Sequence, residues 1–180
     1  MPIDGITVTA ISYELNRVCL DAKVEKVVQP EKDEVVLWLH CPNGGEMGKN
    51  LRLLISANPS RPKIHFSSAS RENPIVAPNF CMLLRKHLMG SKIISVVQPP
   101  FERAIEIIFE ARTELYETVR RKLILEIMGR SSNLIFTDGD GKIYDLLRPV
   151  DITTSSKRIM VPGATYSPPP SQEKEVICDE

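Results

Sequence analysis

Two segments of the chain repeat apolar residues with the period of an α-helix. These positions fall at i, i+4, i+7, i+8 and i+11 in the first segment and at i, i+3, i+4 and i+8 in the second, which places them on one face of a helix. The first face consists of Ile11, Leu15, Val18, Cys19 and Ala22. The second consists of Phe80, Leu83, Leu84 and Leu88, and it lies between Pro78 and Gly90. Because proline near the first turn and glycine after the last are typical helix boundaries, the sequence predicts two short helices.

Elsewhere the apolar period shortens to two residues, which is typical of β-strands. The predicted strands are residues 23–29, 34–40, 51–57, 63–67, 92–98, 103–111, 117–129, 133–137 and 142–147. Residues 34–40 are apolar at both odd and even positions, so we expect that strand to be covered on both faces. Strands outnumber helices and mostly follow one another directly. This order predicts an α+β fold with antiparallel sheets, a β-sandwich flanked by helices.

Beyond about Arg148 the apolar periodicity fades. The stretch SPPPSQEKEVICDE, residues 167–180, combines consecutive prolines with charged residues, a composition typical of linkers. We therefore expect residues 1–166 to form one domain and residues 167–180 to form a linker toward further regions of a larger protein.

The charges balance, with 23 basic and 23 acidic residues. This excludes a uniformly basic nucleic-acid-binding protein but leaves room for a local basic patch. No apolar run approaches the roughly 20 residues of a membrane span, and the N-terminus lacks the charged and apolar regions of a signal peptide. The four cysteines and three histidines are scattered without a C-x-x-C motif, so we expect no metal site and reduced thiols. The expected location is the cytoplasm.

The chain carries no strong catalytic motif. The patterns G-x-S-x-G, H-E-x-x-H and G-x-G-x-x-G and the phosphate-binding P-loop are all missing, and we expect no cofactor. The run from Asp138 to Gly141 resembles the start of a calcium loop but lacks its later positions, so we interpret it as a hairpin turn. Pro2 leaves one catalytic alternative open. Removal of the initiator methionine would expose its amine, a competent Schiff-base nucleophile.

Several basic residues are candidate contacts for nucleic acid. Arg61 and Lys63 flank the start of one predicted strand, and Arg85 and Lys86 lie in the second predicted helix. Such side chains can bind phosphates, which position a nucleic acid without reading its sequence. Ordinary solvated charges are an equally good interpretation. His87 lies beside the apolar stripe of its helix, which favours a packing role.

An acidic and a basic residue, Glu102 and Arg103, directly precede the alternating strand pattern of residues 103–111. From the residues alone, three interpretations stay open for this pair. It is a solvated strand end, a structural ion pair or a contact for an anionic partner.

Five stretches, occurring in this order, carry a resemblance to a known family. They are MPIDGITVTAISYEL, NFCMLLRKHLMG, QPPFERAIEI, LEIMGRSSNLIF and MVPGATYSPPP. Over essentially its whole length the chain resembles the N-terminal domain of the NFACT family, which groups fibronectin-binding protein A with RqcH and NEMF-like ribosome quality-control factors. The resemblance implies a fold related to the N-terminal domain of formamidopyrimidine-DNA glycosylases. It also implies a function. By this resemblance, the whole protein is expected to bind a stalled large ribosomal subunit and to recruit alanyl-tRNA, so that alanine is added to the nascent chain without mRNA.

The resemblance assigns the tRNA contact to an acid–arginine pair. The family has Asp-Arg where this chain has Glu102-Arg103, a change of reach but not of charge. The stretch MGRSSNLIF makes Arg130 a further candidate RNA contact, while Gly129, Ser132 and Asn133 are expected to shape a bend between strands. Two alternatives remain. One is an adhesin that binds fibronectin or fibrinogen, and the other is a glycosylase-like enzyme that uses Pro2.

Overall fold

A computed structural model describes residues 5–69, 72–99, 102–150 and 158–169. Pro2 and residues 170–180 of the expected linker lie outside the described residues. Within them the chain forms two α-helices, α1 (Gly5–Cys19) and α2 (Asn79–Leu88). Both predicted helical faces are confirmed, since their apolar side chains are buried or half-buried. Gly90 follows α2 with φ of +80°, a left-handed conformation that favours glycine.

The nine predicted strands are all present in the described part of the chain, with boundaries shifted by a few residues. They are β1 (Lys23–Glu31), β2 (Glu34–His40), β3 (Asn50–Ser56), β4 (Lys63–Phe66), β5 (Lys92–Val97), β6 (Ala104–Arg112), β7 (Thr118–Glu126), β8 (Asn133–Asp138) and β9 (Ile143–Leu146). Every pairing between them is antiparallel. The predicted α+β class with antiparallel strands is therefore confirmed.

The strands form one hydrogen-bonded sheet in the order β4-β3-β2-β1-β5-β6-β7-β8-β9, where the sandwich prediction implied separate sheets. The sheet nevertheless has two halves, β1–β4 and β5–β9. A single register pair, Lys23 with Lys92, joins them. Both halves contribute to one apolar core, with Leu37 and Leu53 from the first half and Ile107 and Phe136 from the second. Because the junction between the halves is narrow, both halves can pack against one core, as the two sheets of a sandwich do.

The two halves differ in what covers their outer faces. The outer face of the second half carries Ile124 and Ile135, which pack in one cluster with Met160. Tyr166 packs against the same cluster, so the segment after residue 158 covers this face although it lacks apolar periodicity. The outer face of the first half carries a smaller apolar cluster of Val28, Val36, Leu54 and the half-buried Trp38. Among the helices described, none is long and apolar enough to cross a membrane.

Candidate functional site

Arg103 combines a fixed backbone with an open side chain. The carbonyl oxygen of Arg103 accepts a hydrogen bond from the amide of Ile127 at 2.8 Å, which ties the residue to the end of β7. Just before it, the side-chain amide of Gln98 donates to the carbonyl oxygen of Glu102 at 2.8 Å. The Arg103 side chain is exposed and makes no hydrogen bond or ion pair with any residue in the described ranges. A positioned guanidinium with unused donors is suited to an anionic partner.

Glu102 lies beside a buried polar cluster. Its side chain is half-buried. Burial is the main cause of the raised pKa of Tyr166, and the negative charge of Glu102 adds to this effect. Among the described residues, no ion pair joins Arg103 to Glu102. Glu102 is thus half-buried, whereas Arg103 is exposed.

Arg130 lies on the neighbouring loop. It occupies a short 3₁₀ turn, Gly129–Ser131, between β7 and β8, and its side chain is exposed. Gly129 has φ of +56°, and the hydroxyl of Ser132 accepts a hydrogen bond from the amide of Met128 at 3.0 Å. The expected bend is therefore confirmed. Because the Ile127 amide bonds to the Arg103 carbonyl, the loops of Arg103 and Arg130 lie at the same end of the sheet.

Arg148 brings a third loop to this end. Its guanidinium donates to the carbonyl oxygens of Ala57 and Ser132, which belong to different halves of the sheet. Ala57 directly follows β3, whose last residue Ser56 pairs with Lys63. Arg61 is exposed and Lys63 is half-buried at this position. We call the cations on these loops and strand ends, Arg61, Lys63, Arg103 and Arg130, the basic end.

The helical candidates are not joined to the basic end by any contact among the described residues. Arg85 uses its Nε to donate to the carbonyl oxygen of Val27 at 2.8 Å, which fastens α2 to β1. Lys86 is exposed on α2. His87 packs as expected, with its ring stacked on Tyr144 at 4.7 Å between centroids. Arg85 and Lys86 therefore stay predictions of RNA contact on a separate surface.

A buried cluster next to Glu102 was not anticipated from the sequence. Glu126, which is 1% exposed, accepts hydrogen bonds from both Nη atoms of Arg158 and from the Tyr166 hydroxyl. Burial and the neighbouring carboxylates raise the pKa of Tyr166 far above its usual range, so this hydroxyl stays protonated and donates. The only local signal in the sequence is an acid inside the apolar run of β7. This cluster anchors the segment after residue 158 behind the Glu102 loop.

Metal chemistry finds no support in the residues described. No three His, Cys, Asp or Glu side chains among them group closely enough to hold an ion. Cys19, Cys41 and Cys81 are buried free thiols. The basic end can bind an anion through several separate cations.

The chain is similar to known proteins over almost its whole length. A family model described as NFACT N-terminal and middle domains matches residues 4–179. The Rqc2 homologue RqcH of Bacillus subtilis strain 168 is 37% identical over 175 residues, which cover 97% of this chain and 30% of that protein. The archaeal Rqc2 homologue aRqcH of Methanocaldococcus jannaschii is 30% identical over 173 residues, which cover 94% of this chain and 24% of that protein. The chain thus spans a third or less of these relatives.

Solved structures with the same fold are named for binding fibronectin or fibrinogen. The N-terminal domain of fibronectin-binding protein PavA from Streptococcus pneumoniae matches with a TM-score of 0.85 and 31% identity, covering 99% of this chain and 69% of that one. The fibrinogen binding protein from Staphylococcus aureus matches with a TM-score of 0.80 and 30% identity, covering 96% of this chain and 58% of that one.

Proposed function

Because this chain belongs to the NFACT family, we propose that it is the module of an Rqc2-like ribosome quality-control factor that binds tRNA and the large ribosomal subunit. In the scheme implied by the family resemblance, the factor recruits alanyl-tRNA to a stalled nascent chain for alanine tailing without mRNA. This chain spans 30% of the Bacillus subtilis relative, so tailing by the whole factor is part of the proposal.

The observation that carries the proposal is the open guanidinium of Arg103 on a backbone fixed by Ile127. A guanidinium can grip a phosphate with two parallel hydrogen bonds or stack on an unpaired base. Since the backbone is already ordered, binding would cost only the side-chain freedom of this residue. Arg61, Lys63 and Arg130 widen the surface on which a polyanion would lie.

We further propose that this chain binds without catalysing. In the family scheme the ribosome performs the peptide transfer, so this module needs no nucleophile, metal or cofactor. We also propose a fold related to the N-terminal domain of formamidopyrimidine-DNA glycosylases, as the family resemblance implies. The alternative of a glycosylase-like enzyme depends on Pro2, which lies outside the described residues. Borohydride trapping on DNA with an abasic site distinguishes the two. We expect no covalent adduct, and an adduct that disappears in Pro2→Gly would contradict the binding-only role.

Binding of fibronectin or fibrinogen is a second candidate function. The names of the solved relatives from Streptococcus pneumoniae and Staphylococcus aureus favour it. We propose it as a secondary partner, because the proposed binding to tRNA and the large subunit would require a cytoplasmic location.

The proposal is tested by titrating the chain into fluorescein-labelled tRNA, with and without large subunits, at several salt concentrations. Arg103→Gln should weaken binding about tenfold, the loss expected for one charge-assisted contact. Affinity should also fall with salt, with a slope of about 0.9 per phosphate contact. The matched control is Arg112→Gln, which removes an exposed arginine at the far end of β6.

Equal affinities of the two folded variants would refute the role of Arg103. Immobilised fibronectin serves as the competing ligand in the same assay. Tight binding to fibronectin together with no measurable binding to tRNA would favour the adhesin instead.

A further inference from the structure

Three side chains form a row across the outer face of the first half of the sheet. In the strand register, Trp38 of β2 pairs with Lys26 of β1 on one side and with Arg52 of β3 on the other. The Lys26 ammonium lies 4.7 Å from the centroid of the Trp38 ring, and the Arg52 guanidinium carbon lies 4.1 Å from it. Both cations therefore rest on the same aromatic ring.

The ring holds the two cations without using their hydrogen-bond donors. Among the residues that the structure describes, neither Lys26 nor Arg52 has a side-chain hydrogen bond or an ion pair. Stacking on an aromatic ring restricts the rotamers of a long side chain, so less conformational entropy is lost when an anion binds. The row is thus a preorganised pair of cations with free donors.

The surroundings favour an anion with some apolar surface. Arg52 and Trp38 border an open pocket whose floor includes Val28, Val36 and Leu54. On the neighbouring strand β4, Lys63 lies opposite Ser56 and adds a positive charge beside the row, and His65 lies opposite Leu54. A second pocket beside Trp38 and Arg52 is also lined by Glu25, whose carboxylate lies 3.9 Å from Nδ1 of His40.

The position of the row links it to the basic end. Ser56 pairs with Lys63. Arg52 lies four residues from Ser56 along β3, a distance of about 13 Å. A phosphate chain that leaves the basic end could follow these cations across the outer face. On the other half of the sheet, the equivalent face is already covered by Met160 and Tyr166.

We propose that Arg52 and Lys26, positioned by Trp38, bind the phosphate backbone of RNA. This inference rests on the proposed function, because it takes RNA as the partner, and it adds a second contact surface to the basic end. Arg52 supplies a planar set of donors to phosphate oxygens, Lys26 supplies a point charge, and Trp38 is a positioning residue.

Trp38 is the single tryptophan of the chain, so its fluorescence reports directly on this surface. We expect total tRNA to change the Trp38 emission in a saturable, salt-sensitive manner. Arg52→Gln should lose that change and lower the slope of log affinity against log salt by about 0.7 to 0.9, the value for one phosphate contact. Arg112→Gln, which removes the same charge from the far end of β6, serves as the control.

Substitutions of Trp38 test its positioning role. Trp38→Phe keeps an aromatic face for the two cations and should retain the affinity for tRNA. Trp38→Leu removes that face and should lower the affinity and the salt slope as Arg52→Gln does, while thermal unfolding confirms that the variant is folded. Equal affinities and salt slopes of the folded Phe and Leu variants would overturn this role.

The outcomes separate this inference from the proposed function. If Arg103→Gln weakens tRNA binding while Arg52→Gln matches Arg112→Gln and the emission is unchanged, the inference is wrong and the proposed function stands. If Arg52→Gln weakens binding and Arg103→Gln does not, the inference stands and the role of Arg103 falls. An equal response to inorganic phosphate, or a response to poly-glutamate but not to tRNA, would overturn RNA as the occupant.

Discussion

The carboxylate of Glu126 and the guanidinium of Arg158 form a buried two-point ion pair. Nη1 of Arg158 lies 3.1 Å from Oε1 of Glu126, and Nη2 donates to Oε2. The Tyr166 hydroxyl donates to the same carboxylate at 2.7 Å, and Nε of Arg158 donates to the carbonyl oxygen of Ser167 at 2.8 Å. This pair fastens the C-terminal described segment to the end of β7, directly behind the loop of Glu102.

Glu126→Gln should lower the free energy of unfolding by about 3 kcal/mol, because it leaves the buried Arg158 without a countercharge. Urea denaturation measures the change. The double variant Glu126→Leu/Arg158→Met should recover much of the loss, since no charge then stays buried. Glu110→Gln is the control, because it removes an acid that lies 3.9 Å from the exposed Arg120, a pair expected to contribute less than about 1 kcal/mol. Similar losses in the two single variants would show that the buried pair contributes no more to the free energy of unfolding than the exposed pair.

Local alternation predicted the strands well, and it failed where pairing is distant in sequence. The alternation predicts a strand over residues 103–111, and β6 spans Ala104–Arg112. The same pattern could not connect Glu126 to Arg158, because the partner lies 32 residues away in a segment without periodicity. A distant ion pair leaves no repeat in either segment.

The candidate site, like the fold, could be predicted from the sequence only in part. The functional assignment of Arg103 came from the resemblance of a short motif, because spacing alone left an acid and a base without a role. The joining of Arg61 and Lys63 to Arg130 depends on Arg148, which no local pattern singles out. The row around Trp38 needs the register of three strands, which the sequence does not specify.

Arg148→Gln should destabilise the junction between the halves by about 2 kcal/mol. The substitution removes hydrogen bonds to the carbonyl oxygens of Ala57 and Ser132, and it leaves Asp33, which lies 3.5 Å from Nη2, without its cation. Urea denaturation measures the loss, and binding of tRNA should weaken with it, since the loops of the basic end are no longer held together. A loss no larger than that of Arg112→Gln would contradict the proposed role of Arg148.

His87 should make the protein less stable in mild acid. Burial, together with the positive charges of Arg121 and Lys86, lowers the pKa of His87 below its ordinary value of 6.5. Below pH 6.5 the unfolded state therefore takes up a proton that the folded state resists, and the free energy of unfolding falls as the pH falls. His87→Phe retains an aromatic ring to stack on Tyr144 and removes the titration. Urea denaturation of both proteins between about pH 7.5 and 5 should show the steeper decline in the parent, and parallel curves would contradict this assignment.

Glu102→Asp should leave tRNA affinity within about twofold of the parent, because it keeps the negative charge beside Arg103 and changes only its reach. Glu102→Gln removes the charge and should weaken binding about tenfold, the loss of a hydrogen bond to a charged group. The labelled-tRNA titration measures both variants, and thermal unfolding controls for damage to the Tyr166 cluster, whose pKa the Glu102 charge helps to raise. If both variants bind like the parent, the acid of the pair has no part in tRNA binding and Arg103 acts alone. If Glu102→Asp binds tRNA as weakly as Glu102→Gln, the reach of the carboxylate matters. The Glu of this chain would then make a different contact from the Asp of the family motif.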